Sequence, residues 1–171
     1  DIFFDNISVP KDHMLGKKGE GFRVAMKTLD VGRLSMGAQC VGAGKELLEL
    51  SIKHAREREQ FGAPIAKLQA IQFMLADMAT QIEAARALVH TAARAIDSGS
   101  KNISKLSAMC KLMATDVAMK VTTDAVQLFG GYGYCKDYPI EKYMRDAKIT
   151  QIYEGTSEIQ KIVISRALLR D

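Results

Sequence analysis

The sequence predicts an all-α protein, an antiparallel, up-and-down four-helix bundle of long helices. Two observations predict this fold class. Apolar residues recur at helical spacing through long stretches separated by short breaks, and each stretch carries one apolar stripe. The composition also favours helices, because the 171 residues include only 3 prolines and no tryptophan beside 9 methionines and many alanines and leucines. Helices of this kind bury their stripes against one another in a bundle.

The N-terminal segment is the exception, because its pattern predicts a strand. The residues DIFFDNISV alternate between apolar and polar side chains. A lone strand cannot satisfy its own backbone groups, so we expect it to end the sheet of a preceding β-domain in a longer protein. Pro10 and Gly16 then mark a loop. We interpret residues 1–16 as the end of that β-domain and its linker, and residues 17–171 as the helical bundle.

Three long helices and a shorter C-terminal helix make up the predicted bundle. The first helix ends before FGAPI, where Gly62 and Pro64 break the pattern, and the second has the most regular apolar stripe. A glycine-rich loop, GGYGYCKDYP, follows the third helix and leads into a short helical segment. Ser157 and Gln160 are predicted to form a capping box at the start of the last helix. The predicted helical ranges are about 21–58, 69–97, 104–129, 141–147 and 156–169.

Charge and cysteine usage exclude several classes of protein. The net charge is +4 and the basic residues are interleaved with acids, so a nucleic-acid partner is not expected. No apolar run approaches the length of a membrane span. The three cysteines are scattered and have no CxxC spacing, which predicts neither disulfides nor a metal site and fits a reducing compartment. Cys40 and Cys110 fall in helical patterns and are expected to be small, buried apolar residues.

Glu154 is the first candidate for chemistry, in the C-terminal stretch TQIYEGTSEIQKIVISRALLRD. One interpretation is structural, because the start of the following helix stabilises a nearby anion by about 0.3–1 kcal/mol. The other is that Glu154 accepts a proton from a ligand. Gly155 permits close approach of the backbone and Tyr153 offers an aromatic wall. A carboxylate that loses water beneath an apolar ligand becomes a stronger base.

A second candidate site is the stretch EREQFGAPIAKLQA. Arg58 ends the first long helix, where a cation is favourable with the helix dipole. Its guanidinium group could equally grip phosphate oxygens. Gln60, Phe61 and Gln69 offer amide and aromatic contacts nearby.

The glycines of DAVQLFGGYGYCKDYP form a third candidate site. They follow a helix and not a strand, so a Rossmann fingerprint is rejected. A helix C-cap and loop is the structural interpretation. Alternatively, Gln127 beside the bare backbone of Gly130 and Gly131 could contact the polar edge of a ligand.

Asp30 and Arg33 lie three residues apart on one face of the first helix. They predict either a surface ion pair worth a few tenths of a kcal/mol or a donor and acceptor that read a nucleotide. His13, His54 and His90 share no spacing that suggests a triad or a metal site. We expect His54 and His90 on helix surfaces.

With these stretches in view, the chain resembles the C-terminal part of the acyl-CoA dehydrogenase flavoprotein family. The resemblance covers essentially the whole chain, in the expected order, and the short-chain, butyryl-CoA type fits best in TLDVGR and GGYGYCKDYPIEKYMRDAKITQIYEGT. The segments that carry it are FDNISVPKDHMLGKKGEGF, EREQFGAPIAKLQAIQFMLADM and TTDAVQLFGGYGYCKDYPIEKYMRDAKITQIYEGTSEIQ.

The resemblance implies a fold, an assembly and a reaction. Family members have an N-terminal helical domain, a middle β-domain and a C-terminal four-helix bundle, and this chain would be the bundle with the last strand of the β-domain. The resemblance also implies a homotetramer with FAD lying partly across a subunit boundary. The implied reaction is α,β-desaturation of short or medium straight-chain acyl-CoA thioesters, with an electron-transferring flavoprotein as acceptor. The compartment would be the bacterial cytoplasm or the mitochondrial matrix.

Individual residues take roles from the same resemblance. Glu154 matches the family's base, which removes the proton next to the thioester while hydride leaves the following carbon. Isovaleryl- and long-chain members place their base at the position of Gly32, so the loop base fits here. Leu68 and Glu158 depart from residues found in some relatives. Positions matching FAD contacts are Arg58, Gln60, Phe61, Gln69, Gln127, Gly130, Gly131, Thr156 and Glu158. The predicted substrate-binding residues are Asp30, Val31, Gly32, Arg33, Tyr153, Gly155 and Arg166.

Two rival functions stay open at this stage. An acyl-CoA oxidase would use the same proton and hydride chemistry but pass electrons to oxygen. A non-catalytic helical assembly module would show no flavin reduction at all. For this stretch by itself we expect helical structure and self-association with little FAD binding, because the β-domain wall of the flavin site would be missing.

Overall fold

The computed structural model describes residues 1–100 and 103–170, which are mostly helical. A two-residue strand β1 (Glu59–Gln60) pairs antiparallel with β2 (Ala63–Pro64), and single 3-10 turns lie at Lys11–His13 and Ile65–Lys67. The helices are α1 (Gly21–Glu57), α2 (Gln69–Asp97), α3 (Ile103–Phe129), α4 (Gly131–Tyr134), α5 (Ile140–Thr150) and α6 (Ser157–Leu168).

The long helices α1, α2 and α3 pack against one another, and α3 also contacts α5 and α6. They contain 37, 29 and 27 residues, whereas α5 and α6 contain 11 and 12. The predicted all-α class is confirmed in this coarser form, and the four-helix arrangement stays a prediction. Because α3 lies at the centre, side chains on its different faces reach α1, α2 and the turn that joins α5 to α6.

Small residues let α1 approach its neighbours closely. A Cβ atom added at Gly37 would lie 2.6 Å from Cys110 Sγ and 3.3 Å from Val89 Cγ2. One added at Gly44 would lie 3.2 Å from Ile82 Cγ1. These contacts bring α2 and α3 against the same face of α1, so the core is a packed seam between three helices.

The cysteines in this seam behave as predicted. Cys40 and Cys110 are buried, whereas Cys135 is exposed. Burial raises the pKa of Cys110 to about 11, with the neighbouring Cys40 as a smaller cause. Within residues 1–100 and 103–170, no helix is both long and apolar enough to cross a bilayer.

The predicted N-terminal strand is wrong for this structure, because residues 1–10 form no strand. The side chains of Ile2, Phe3 and Phe4 are at least 80% exposed. The physical reason is that a strand requires a neighbouring strand to bond its backbone groups. Among the described residues, the only paired strands are the short β1 and β2. The proposed division at residue 16 stays a prediction.

The predicted capping box at Ser157 and Gln160 is also wrong. Thr156 is the N-cap residue of α6, and its hydroxyl accepts a hydrogen bond from the Ile159 N–H at 3.4 Å. Ser157 is the first residue of α6, and its hydroxyl oxygen lies 3.5 Å from Asp116 Oδ1. Two adjacent hydroxyl residues offered the same cap, and the backbone of Thr156 is the one outside the helix.

Two further boundaries differ from the prediction. Part of the predicted glycine-rich loop is the short helix α4, which begins after Gly130 at a positive φ of 60°. Helix α5 extends to Thr150, three residues beyond the predicted end at residue 147. The extension brings α5 directly to the turn that contains Glu154.

Candidate active site

Glu154 lies in the turn between α5 and α6 with a left-handed backbone. Its φ is +53° and that of Gly155 is +89°. The turn is closed by the Ser157 N–H, which donates to the Gln151 carbonyl at 3.0 Å. A glycine adopts such a φ freely, but a non-glycine residue pays roughly 1–2 kcal/mol for it. A strained residue of this kind is a reason to look for function.

The Glu154 carboxylate lies against α1 at Gly32. A Cβ atom added at Gly32 would lie 2.9 Å from Oε2 and 3.3 Å from Oε1 of Glu154. Oε2 is buried and has no hydrogen-bond partner among the described residues. An ionic or hydrogen-bonded lock on that oxygen is therefore absent from the described part of the chain, and Gly32 leaves room for the acid.

An apolar cavity of about 380 Å³ lies beside this turn, between α1, α3 and α5. Tyr153 lines it together with Cys40 and Ala147. The Tyr153 hydroxyl donates to Met36 Sδ at 3.2 Å, which fixes the ring at the edge of the cavity. The sequence prediction of an aromatic wall next to Glu154 thus corresponds to a ring with a defined position.

Lys111 is the residue near this turn that sequence reasoning missed. Its side chain is fully buried, and Nζ donates to the Gly155 carbonyl at 2.9 Å. Burial lowers its pKa. Gln160, also fully buried, donates from Nε2 to the carbonyl oxygens of Gly155 at 2.9 Å and Glu154 at 3.2 Å. Two donors from α3 and α6 therefore hold the backbone of the turn.

A signal for Lys111 existed in the sequence. Helix α3 has a second buried stripe of small residues at helical spacing, which a search for large apolar side chains passes over. Lys111 lies in the middle of that stripe, four residues after Ser107 and four before Thr115, both of which are buried. A lysine flanked in this way is predicted to be buried and to need an acceptor.

The pair of Asp30 and Arg33 forms an internal ion pair and not the surface pair that was one of the two predictions. Arg33 Nη1 lies 3.0 Å from Asp30 Oδ1, and the two side chains are only 8% and 19% exposed. The Ser104 hydroxyl donates to Asp30 Oδ2, and the Ser107 hydroxyl donates to the Asp30 carbonyl. The pair joins α1 to α3 next to Gly32, while Val31 is half exposed.

Four predicted cofactor residues come together at the other end of the molecule. Arg58, Gln60, Gly130 and Gly131 line an open cavity of about 530 Å³. The Arg58 guanidinium carbon lies 5.5 Å from the centre of the Tyr132 ring, in cation–π range. The hairpin of β1 and β2 positions this edge of the cavity.

One aromatic contact at this cavity was not predicted, and the predicted residue Phe61 lies on the neighbouring hairpin. The His54 ring stacks on Phe129 with centroids 4.1 Å apart, so His54 is half-buried at the surface of α1 and not fully exposed. Burial, followed by the Arg58 charge, lowers the pKa of His54. Phe61 at the tip of the hairpin is 93% exposed and has a positive φ of 55°. An exposed aromatic ring at the tip of a hairpin is suited to contact another molecule.

The other predicted site residues lie apart from that cavity. Thr156 and Glu158 line a polar cavity of about 320 Å³ at the start of α6. The Glu158 carboxyl accepts a hydrogen bond from the backbone N–H of Glu158 itself and one from the Thr156 hydroxyl, and these lower its pKa. Gln69 is the first residue of α2, and Gln127 is exposed near the end of α3. Arg166 is exposed in the last turn of α6, roughly 15 Å from the start of that helix at 1.5 Å per residue.

Comparison with known proteins shows which proteins this chain is similar to. The chain is 52% identical over 169 residues to an acyl-CoA dehydrogenase of Bacillus subtilis, which covers 99% of the chain and 44% of that protein. Butyryl-CoA dehydrogenase from Megasphaera elsdenii superposes with a TM-score of 0.95 at 51% identity, over 98% of this chain and 43% of that one. A chain from a structural study of the electron-transferring flavoprotein of Acidaminococcus fermentans superposes equally well, at 58% identity, over 98% of this chain and 44% of that one.

The chain thus spans less than half the length of the relatives it matches. The sequence profile of the family described as "Acyl-CoA dehydrogenase, C-terminal domain" matches residues 19–169. That range includes α1 to α6, the turn with Glu154 and the hairpin with Arg58. The chain belongs to the acyl-CoA dehydrogenase family, as its C-terminal domain.

Proposed function

We propose that this chain is the C-terminal domain of an FAD-dependent acyl-CoA dehydrogenase in which Glu154 is the base. The substrate would be a short or medium straight-chain acyl-CoA, and the product a trans-2-enoyl-CoA. One observation carries the proposal. The Glu154 carboxylate is held on a left-handed turn against Gly32, with a buried oxygen that no described residue bonds. A base must keep such an oxygen free to take a proton.

The proton transfer follows from the groups around Glu154. The bond from the substrate's α-carbon to hydrogen breaks, the proton goes to the carboxylate, and negative charge grows on the thioester oxygen. In the described part of the chain no acceptor takes the Glu154 N–H, so that donor is available to the developing charge. A preorganised donor in a site without water stabilises such charge strongly. The apolar cavity beside Tyr153 supports binding of the acyl chain.

The residues predicted to bind FAD fit a dinucleotide. Arg58 supplies an exposed cation beside the backbone of Gly130 and Gly131 in an open cavity, which suits a phosphate group. Phe61 adds an exposed ring. Gln60, Gln69, Gln127, Thr156 and Glu158 would supply polar contacts. When bound, FAD accepts the hydride that leaves the substrate's β-carbon.

The distribution of these residues supports the proposed assembly. Arg58 with Gly130, and Thr156 with Glu158, line two different cavities. We infer that they serve cofactors of different subunits in a homotetramer of four-helix bundles. The similarity to a chain from the flavoprotein study supports an electron-transferring flavoprotein as acceptor. The bacterial cytoplasm, or the mitochondrial matrix in a eukaryote, would be the compartment.

The test is Glu154→Gln in the full-length protein that carries this domain. Glutamine keeps the volume of the side chain but cannot accept the proton, so flavin reduction by butyryl-CoA should fall by about 10²–10⁴-fold or more while FAD and butyryl-CoA still bind. Glu83→Gln, on the exposed surface of α2, is the control and should reduce flavin at the normal rate.

Three outcomes separate the alternatives. Flavin reduction retained by Glu154→Gln refutes the assignment of the base. Absence of flavin reduction in the unaltered protein favours the assembly module. Rapid reoxidation of the reduced flavin by oxygen favours the oxidase.

A further inference from the structure

We propose that Lys111 is a positioning residue that holds the turn of Glu154 and Gly155 in place, so that the carboxylate stays against α1. The inference rests on the proposed function of Glu154 and adds a residue on another helix to that site. Its basis is the contact between Lys111 Nζ and the Gly155 carbonyl at 2.9 Å.

The position of Lys111 is costly for a residue with only a packing role. Its side chain is fully buried, and an ammonium group has three donors, of which the described contacts use one. The buried Arg33 lies close enough to add a second positive charge, although Glu154 and Asp116 offset part of it. Taking an ammonium group out of water carries a large free-energy cost unless the contacts it makes offset the lost hydration. The hydrogen bond to the Gly155 carbonyl is the contact that offsets part of this cost, so a role in holding the turn explains why an ammonium group lies here.

Gln160 and Lys111 hold the turn from two different helices. Gln160 bonds the carbonyls of both Glu154 and Gly155, but it reaches them from α6, the helix that follows the turn. Lys111 reaches Gly155 from α3, which also packs against α1. The contact from α3 therefore ties the Gly155 carbonyl to a helix that packs against α1, and it adds to the contact that the Tyr153 hydroxyl makes with Met36 of α1. Without it, the Gly155 carbonyl would keep only its bond to Gln160, and the carboxylate of the neighbouring Glu154 would be held less firmly against α1.

The decisive variant is Lys111→Met in the full-length holoenzyme, because methionine keeps most of the apolar stem and removes the ammonium group. Amide hydrogen exchange of residues 153–156 should become at least about tenfold faster, while exchange in the cores of α1, α2 and α3 is unchanged. The rate at which an α-deuterium of butyryl-CoA exchanges with solvent should fall by about 10–100-fold, as expected for a displaced base. The KM for butyryl-CoA should change by less than about threefold.

The control is Lys120→Met on the same helix, whose lysine pairs with Asp124 at the surface and is 55% exposed. It should alter neither amide exchange of the turn nor α-deuterium exchange. Lys111→Gln, which keeps an N–H donor without the charge, should recover part of the protection of residues 153–156.

Amide exchange of the turn distinguishes failure of this inference from failure of the proposed function. If Glu154→Gln retains α-deuterium exchange, the base is wrong, but the amide measurement still tests the contact made by Lys111. Normal amide exchange and normal α-deuterium exchange in a folded Lys111→Met protein overturn the inference. Failure of both Lys111→Met and Lys111→Gln to fold also overturns it, because the fold itself would then require the residue.

Discussion

The contact between Gly32 and Glu154 gives the sharpest prediction for the proposed site. In Gly32→Ala, the new Cβ would lie 2.9 Å from Oε2 and 3.3 Å from Oε1. Ordinary van der Waals contact begins near 3.4 Å, so the carboxylate must retreat by roughly 0.5 Å. A displacement of about 1 Å at a reacting group can cost 100-fold in rate. We therefore expect flavin reduction by butyryl-CoA to slow by about tenfold.

The stability of the same variant should change in the opposite direction. Gly32 is inside α1, where alanine is favoured over glycine by about 0.5–1 kcal/mol. The group that must move is the end of a flexible side chain, so little of this gain is lost. Gly42→Ala makes the same change on α1 with no atom within 4 Å, and it serves as the matched control.

The assay combines rapid-mixing measurement of flavin reduction with urea denaturation of both variants. Both should be as stable as the unaltered protein or slightly more so, and only Gly32→Ala should be slow. Equal rates of flavin reduction in the two variants would show that the carboxylate is not held against α1 during the reaction.

Three further predictions test the core and the ion pairs. Gly37→Ala should lower the free energy of unfolding by about 1–3 kcal/mol, because its Cβ would lie 2.6 Å from Cys110 Sγ, and urea denaturation measures this. Arg33→Met should lower it by about 3 kcal/mol, because Asp30 is left as a largely buried carboxylate without its positive partner. Arg86→Met, in an exposed pair, should change it by less than about 0.5 kcal/mol. With Ellman's reagent at pH 8, the exposed Cys135 should react before the buried Cys110. The Cys110 pKa is raised from 9.0 to about 11, which lowers its thiolate fraction by about 100-fold. In urea, Cys110 should lose this protection from the reagent. Equal reactivity of the two thiols in the folded protein would contradict the burial.

Local patterns in the sequence predicted the long helices well because each helix carries its own signal. In α2, the buried residues Met78, Ile82, Ala85, Val89 and Ala92 recur at intervals of three and four. The predicted range of 69–97 is the observed one. The position of Glu154 in a turn before the last helix was also predicted, since glycine and hydroxyl residues mark that boundary.

What the sequence did not reveal depends on contacts between distant segments. The bond from Lys111 to Gly155 joins residues 44 positions apart, and the stack of His54 on Phe129 joins α1 to α3. No local spacing encodes such a pairing. The N-terminal strand failed for the related reason that an alternating pattern specifies a face but does not supply the neighbouring strand.

The free energy of the Glu154 turn supports the proposed role over the structural explanation first considered for this acid. Stabilisation by the start of α6 is worth about 0.3–1 kcal/mol. The left-handed backbone costs about 1–2 kcal/mol, and a buried oxygen without a partner adds about 1–3 kcal/mol. Glu158, exposed in the first turn of α6, obtains hydrogen bonds from its own N–H and Thr156 without either cost. An acid needed only to stabilise the helix would occupy the position of Glu158, so the strain at Glu154 calls for a different explanation, and proton removal supplies one.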